Sequence, residues 1–245
     1  MAYETFADYY DKLTANAEYA KRADYILDVL NKHNHTAGLT LDLACGTGSL
    51  TLELKKRGVD IYGVDASADM LSVALQKASD EGEQILFLRQ KMQNLDLYGT
   101  IDTCVCTLDS VNHITDKNIL LRAFKKVSLF MNKGGIFMFD ANTVYKHKHI
   151  LADNVFVFDT DEVYCVWQNT PMENNMVGIS LDFFIAEGDN YYRVTENFTE
   201  KAYEVEELEG MLKEAGFTLE AVYGDLKFEA AADDEQRLQF VARKN

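Results

Sequence analysis

The chain predicts an α/β fold: a Rossmann-like, doubly wound sheet, mostly parallel, with an antiparallel last strand. Three observations carry that expectation. Between residues 39 and 141 short apolar runs alternate with helical patterns, the signature of a parallel sheet with crossover helices. The run 39–43 breaks abruptly into Ala44-Cys45-Gly46-Thr47-Gly48 before a helical pattern begins at Ser49, which reads as strand, tight turn and helix start. The next apolar run, Ile61-Tyr62-Gly63-Val64, ends in a carboxylate, Asp65, where a second strand would reach its tip.

In chain order, residues 1–34 predict two amphipathic helices, the second carrying Tyr19, Ala23, Ile26, Leu27 and Leu30 at helical spacing. Strands are expected near 39–43, 59–64, 85–89, 101–107 and 135–140, with helices near 48–57, 67–79 and 116–131. Gly58 and Gly134-Gly135 stand where helix C-terminal caps belong. Then the rhythm changes. Within residues 150–200 the chain alternates like strands: Val177, Ile179, Leu181, Phe183 and Ile185 share one face, and Glu187-Gly188-Asp189-Asn190 is a turn cluster. This predicts a small antiparallel β insert after strand five, of about three strands by its alternation, with the sole proline, Pro171, in one of its loops. A helix at 205–215 ended by Gly216, and strands at 217–223 and 238–242, complete the sheet. With no linker or low-complexity stretch, residues 1–245 are expected to form one domain.

Composition narrows the function. The 24 basic and 40 acidic side chains leave a formal charge of −16, a field that opposes phosphate backbones and anionic bilayers. The basic clusters, Lys55-Lys56-Arg57 and residues 146–149, are short. Neither a nucleic-acid nor a membrane partner is therefore expected. Cys45, Cys104, Cys106 and Cys165 lack the spacing of a metal or disulfide framework and read as small buried hydrophobes, so no metal is expected. No signal-peptide pattern opens the chain, and a reducing cytoplasm is the expected compartment.

The glycine turn and Asp65 together predict a nucleoside-containing cofactor at the C-terminal edge of the sheet. Glycine backbone admits a close ligand, and a strand-end carboxylate accepts hydrogen bonds from two ribose hydroxyls. A dinucleotide fingerprint would need a small third residue, but Gly46-Thr47-Gly48-Ser49-Leu50-Thr51 ends in a β-branched threonine. Read from Asp42, the turn is Asp-x-Ala-x-Gly-x-Gly. That pattern resembles the first motif of the class I S-adenosylmethionine-dependent methyltransferases.

The resemblance extends along the chain. Phe6-Ala7-x-x-Tyr10-Asp11-x-Leu13 is similar to the entry helix of small bacterial members. Val64-Asp65-Ala66-Ser67-x-x-Met70-Leu71 resembles the acidic second motif, Leu108-Asp109-Ser110-x-Asn112-His113 the stretch after strand four, and residues 134–140 strand five. It implies S-adenosyl-L-methionine as cofactor. Its ribose would meet Asp65 and its methionine end the backbone of Ala44, Gly46 and Gly48, with Asp42 bonding the loop's amides or the cofactor's amino group. Ala66, Met70 and Met92 would pack on adenine, and backbone carbonyls, Gln90 or Gln93 would recognise it. Cys45 and Leu108 would also line the cofactor site, and Tyr10 and Tyr19 would close over it. Lys91 stands where many relatives carry an aspartate for the adenine amino group, and a lysine cannot accept that hydrogen bond.

Methyl transfer to a small-molecule acceptor is the implied activity. Asp109 and His113, expected at a C-terminal strand end, are candidates to take the acceptor's proton. Asn112, Asp140, Asn142, Trp167 and Arg193 are candidates to hold the acceptor, although Arg193 could equally pair with Asp182 across the insert. By resemblance the insert forms a lid or wall of the acceptor pocket; the competing reading is a homodimer interface. The competing functions are a nicotinamide-dependent oxidoreductase and a non-catalytic S-adenosylmethionine-binding protein.

Overall fold

A computed structural model of the chain describes Ala7 and residues 17–188 and 190–245. Of the two expected N-terminal helices, α1 (Tyr19–Lys32) is among them; the first lies outside, and Tyr10 with it. The main sheet has seven strands: β1 (Leu39–Leu43), β2 (Asp60–Asp65), β3 (Phe87–Arg89), β4 (Ile101–Cys106), β5 (Met131–Asn142), β10 (Phe217–Gly224) and β11 (Arg237–Lys244). Their order is β10-β11-β5-β4-β1-β2-β3. β1 pairs in parallel with β2 and β4, β2 with β3, and β4 with β5, whereas β11 runs antiparallel to both β5 and β10.

Helices cover both faces because the central strands are apolar on both. In β5, Phe137 and Phe139 join one core with Phe124 of α4 (Lys117–Phe130) and Leu208 and Leu212 of α5 (Val205–Glu214). Ile136 and Met138, one residue out of phase, join the other with Ile26 and Val29 of α1 and Leu50 and Leu54 of α2 (Ser49–Lys56). The two-residue period of a strand puts alternate side chains on opposite faces, and every one of these is buried. Helix α3 (Ala68–Asp80) follows β2 and starts where Ser67 Oγ accepts the Met70 N–H at 3.2 Å. Asp116 caps α4 through the N–H groups of Asn118 and Ile119.

The strand order reverses between β1 and β4, whose connections leave in opposite directions. Such a switch opens a crevice at the carboxyl ends of the strands. The loops that follow β1, β2, β4 and β5 meet there.

Three expectations needed correction. Gly134-Gly135 does not cap α4. That helix ends at Phe130, Met131 is already extended, and Gly134, at φ +81°, lies within β5. The pairing of β4 with β5 shifts register beside Thr103, and a Cβ on Gly135 would stand 2.7 Å from the Asp102 carbonyl, so this glycine permits the close approach of strands. The insert has four strands, not three: β6 (Val155–Asp159), β7 (Val163–Pro171), β8 (Met176–Glu187) and β9 (Asn190–Lys201), antiparallel in that order. Pro171 closes β7 rather than sitting in a loop, and a π-helical turn (Lys146–Leu151) precedes the insert.

The apolar face of β8 is buried as expected and packs with Val163, Cys165, Leu151, Ala7 and, from α3, Met70. That contact lays the insert over the crevice. Its other side leaves Val155, Val157, Tyr164 and Tyr191 exposed. All four cysteines are free thiols. Among the described residues, no helix is long and apolar enough to cross a membrane.

Candidate active site

The loop after β1 is built for an open backbone. Ala44, Gly46 and Gly48 all have positive φ, and Cys45 N–H donates to the Val64 carbonyl at 3.0 Å, pinning the loop to β2. The two glycines serve different needs. A Cβ on Gly46 would meet nothing within 4 Å, because it faces the cavity. A Cβ on Gly48 would stand 2.8 Å from Ala74 Cβ, so Gly48 lets α3 close against the loop and does not itself line the cavity. Thr51, which spoils a dinucleotide fingerprint, has a local purpose: its hydroxyl donates to Asp42 Oδ2 at 2.6 Å. Asp42 is therefore spoken for by Thr51. Burial, with the nearby Asp65 charge adding to it against the hydroxyl, pushes its carboxyl up to about 7.

Asp65 sits at the tip of β2. One oxygen accepts the Gly46 N–H at 3.0 Å and the other the Ser67 N–H at 2.8 Å. Each oxygen keeps a second lone pair, and the residue lines the cavity. Burial raises this carboxyl; its backbone donors oppose the rise. Beside it, Ala66, Met70 and Met92 line an apolar stretch. Gln90 reaches the same wall, but its side chain is engaged elsewhere: it donates to the Asp96 carbonyl at 2.9 Å and accepts the Asp96 N–H at 2.7 Å. Tyr19, Asp42 and Cys45 line a small neighbouring pocket that shares Ala44, Gly46 and Leu108 with this crevice.

The loop after β4 is held differently. Leu108 and Asp109 both take φ +56° and donate their N–H groups to the two oxygens of Asp140, at 2.8 and 2.6 Å. Arg237, from β11, donates to Asp140 Oδ1 and to Asp109 Oδ1, each at 2.8 Å. Arg22 of α1 stands 3.6 Å from Asp140. Burial alone would raise the Asp109 carboxyl; the charges of Arg237, Lys146 and His113 outweigh it and hold the carboxyl well below the usual range. Asn142 donates to Asp109 Oδ2 at 3.1 Å and accepts from Lys146 Nζ at 2.9 Å. Asn112, fully buried, accepts the Asn142 N–H and donates to the Lys201 carbonyl, tying β5 to the end of β9.

These two loops border one open cavity of about 990 Å3. At one end stand Ala44, Gly46, Asp65, Met70 and Met92; at the other His113, Phe158, Trp167, Phe198, Glu200 and Arg237. His113 packs against Phe198 with ring centroids 5.2 Å apart, and Glu200 approaches it at 3.6 Å. Trp167 is fixed by its indole N–H donating to Asn169 at 2.8 Å. Asp109, His113 and Glu200 bring donor atoms within 4.8 Å of one another, but Arg237 and Lys146 already supply Asp109 with cationic neighbours.

Comparison with known proteins agrees with this geometry. Residues 40–135 match the model of a methyltransferase domain. Over 247 aligned positions the chain is 33% identical to YqeM of Bacillus subtilis (strain 168), named there as a putative methyltransferase, covering 100% of this chain and 98% of the relative. A solved S-adenosylmethionine-dependent methyltransferase from Clostridium acetobutylicum superposes with a TM-score of 0.90 at 33% identity, over 99% of each chain. The chain belongs to the class I S-adenosylmethionine-dependent methyltransferases. It is therefore an enzyme that uses S-adenosylmethionine. The fold is shared further afield, with DesVI of Streptomyces venezuelae at a TM-score of 0.79 and 22% identity over 98% of each chain.

Within this methyltransferase the residues singled out from sequence divide clearly. Ala44, Gly46, Asp65, Ala66, Met70, Gln90, Met92, Leu108, Asp109, His113 and Trp167 line the main cavity. Tyr19, Asp42 and Cys45 line the small neighbouring pocket. Asp140, Asn112 and Asn142 do not reach it; they are buried braces beneath the loops, since each directs its side chain to backbone or to another polar side chain. Arg193 lies on the outer face of the insert, paired with Asp182 at 2.6 Å, the alternative that sequence left open. Sequence reasoning missed Lys146, Glu200 and Arg237, all cavity-lining. Glu200 had a readable signal: with Val194, Glu196 and Phe198 it shares one side of β9, and an acid on the inward side of a strand is unusual.

Proposed function

We propose that this methyltransferase acts on a small-molecule acceptor that enters the cavity from the insert side. The continuity of that cavity carries the reading: one open cleft is lined both by Gly46 and Asp65 and by Phe158, Trp167 and Phe198. Its volume is at the upper end of the range for small-molecule sites, enough for a cofactor and a modest acceptor together. The charge of −16 weighs against a nucleic-acid acceptor.

The residues fit the cofactor. Gly46 offers open backbone, Asp65 has lone pairs for a ribose diol, and Ala66, Met70 and Met92 offer an apolar seat for a purine ring. Because Gln90 is engaged with Asp96, adenine contacts come from backbone and from these apolar side chains. When bound, the sulfonium supplies a methyl group whose C–S bond breaks, its electron pair remaining on sulfur as the acceptor atom bonds to carbon. The protein's part is to hold the acceptor in line, exclude water and take the acceptor's proton. His113 is placed for that last step, on the cavity wall beside Phe198. Asp109, tied to Arg237, shapes the loop instead.

The test is formation of S-adenosylhomocysteine from S-adenosylmethionine with a panel of small amines, hydroxy compounds, phenols and thiols, beside total tRNA and unfolded protein. Turnover with a small molecule, lost in His113→Ala, is expected. Turnover with tRNA or protein alone would overturn the reading.

A further inference from the structure

Glu200 is only 3% exposed, yet its carboxylate reaches the cavity wall. Its Oε2 faces Asn142 Nδ2 at 3.3 Å and His147 Nε2 at 3.7 Å, and its Oε1 faces His113 Nε2 at 3.6 Å. His147 itself is 4% exposed and lies on the π-helical turn. Its Nδ1 stands 2.9 Å from the carbonyl oxygen of Asn175, in the β7–β8 turn. A carbonyl oxygen only accepts, so Nδ1 carries the hydrogen. That leaves Nε2, fully buried and without a hydrogen-bond partner among the described residues, turned toward a carboxylate. A lone pair facing a carboxylate in a dry interior is repulsive; a hydrogen between the two atoms makes the contact attractive, whichever atom it sits on.

We infer that Glu200 is the positioning residue of the acceptor site, anchored through one oxygen by Asn142 and a proton shared with His147, and orienting the His113 ring through the other. The inference rests on the reading that His113 takes the acceptor's proton. With Nε2–H directed at Oε1 of Glu200, Nδ1 is the basic atom of His113, and the proton leaving the acceptor moves to it as the bond to carbon forms. This is the orienting logic of a carboxylate behind a catalytic imidazole. The charged groups around the set are Asp109, Lys146 and Arg237. The arrangement also explains why two histidines and one glutamate, from three distant segments, converge behind a cavity wall.

The test is nitrogen NMR of the ring nitrogens in protein labelled at its five histidines, with signals assigned by His113→Gln and His147→Gln. S-Adenosylhomocysteine binding by calorimetry serves as the check of folding. In wild type, His147 is expected to carry hydrogen on Nδ1 and His113 on Nε2. Glu200→Met keeps volume and removes both acceptors; the share of His113 that carries hydrogen on Nε2 should then fall, and the His147 signals should move. Should Glu200→Met fail to bind S-adenosylhomocysteine, Glu200→Gln replaces it, with shifts in the same direction. Tautomers of His113 indifferent to residue 200, or a His147 without hydrogen on Nδ1, would overturn the inference. The two readings fail separately. A His113→Ala enzyme that turns over the acceptor panel like wild type sinks the base reading and leaves the tautomer result standing. A dead His113→Ala enzyme with indifferent tautomers sinks only the role of Glu200.

Discussion

Two aspartates, one in each half of the cavity's frame, show how differently the halves are built. Asp42 lies under the loop after β1 with a hydroxyl as its partner, and burial drives its carboxyl up to about 7. Asp109 lies on the loop after β4, half-buried with its side chain 20% exposed, and there Arg237, Lys146 and His113 hold its carboxyl down. The half proposed for the cofactor is made of backbone: positive-φ residues, amides donated to Asp65, and glycines that leave room. The half proposed for the acceptor is made of charge, a network in which Arg22, Asp109, Asp140 and Arg237 compensate one another. A backbone seat suits a ligand that never changes. A network of side chains can be re-specified by substitution, which suits the half that chooses the acceptor.

The largest effect should come from breaking that network. Arg237→Met leaves the buried Asp140 and the half-buried Asp109 without that guanidinium, and removing one partner of a buried pair costs about 3–5 kcal/mol. Thermal unfolding is expected to fall by on the order of 10 °C. A shift of only a degree or two would show the network to be decorative.

The glycines sharpen the comparison within the cofactor half. Gly48→Ala adds a contact at 2.8 Å with Ala74 to an unfavourable positive φ, and should cost about 2 kcal/mol or more in denaturant unfolding. Gly46→Ala, with open space around it, should cost about 1 kcal/mol in stability but weaken S-adenosylhomocysteine binding.

Stability against pH separates the two aspartates. The folded-state value of Asp42 exceeds the unfolded value of about 3.9, so the folded chain keeps a proton that the unfolded chain releases. Its contribution to stability therefore falls as pH rises from about 4 toward 7. Urea unfolding of Asp42→Asn should lack that decline. Asp109 has the opposite sign: its stabilisation is present above about pH 4 and is lost as strong acid protonates it. Arg193→Ala should move stability by less than about 0.5 kcal/mol, since an exposed ion pair contributes little, and should leave turnover unchanged.

The cofactor half was legible in the sequence because its elements are local. Asp42, Gly46 and Gly48 fall within seven residues, and Asp65 ends the next strand, so spacing alone places them together. Strand and helix alternation fixed the sheet for the same reason, while β6, a short edge strand with Val155 and Val157 turned outward, was missed. The acceptor half was not legible. Asp109, Lys146, Glu200 and Arg237 are brought together by strand order and by the pairing of β11 with β5, which no local pattern encodes. Asp140 and Asn142 were correctly expected at a strand end, but alternation along β5 cannot say that both braced the loops instead of facing the cavity.

Asp65 is the proposed anchor of the cofactor end of one shared cavity. Calorimetric titration of S-adenosylhomocysteine into wild type, Asp65→Ala and Arg193→Ala tests it most directly. Two charge-assisted hydrogen bonds amount to about 3 kcal/mol, so Asp65→Ala should bind roughly 100-fold more weakly while Arg193→Ala matches wild type. Equal affinity in all three proteins would contradict the account and place the cofactor away from β2.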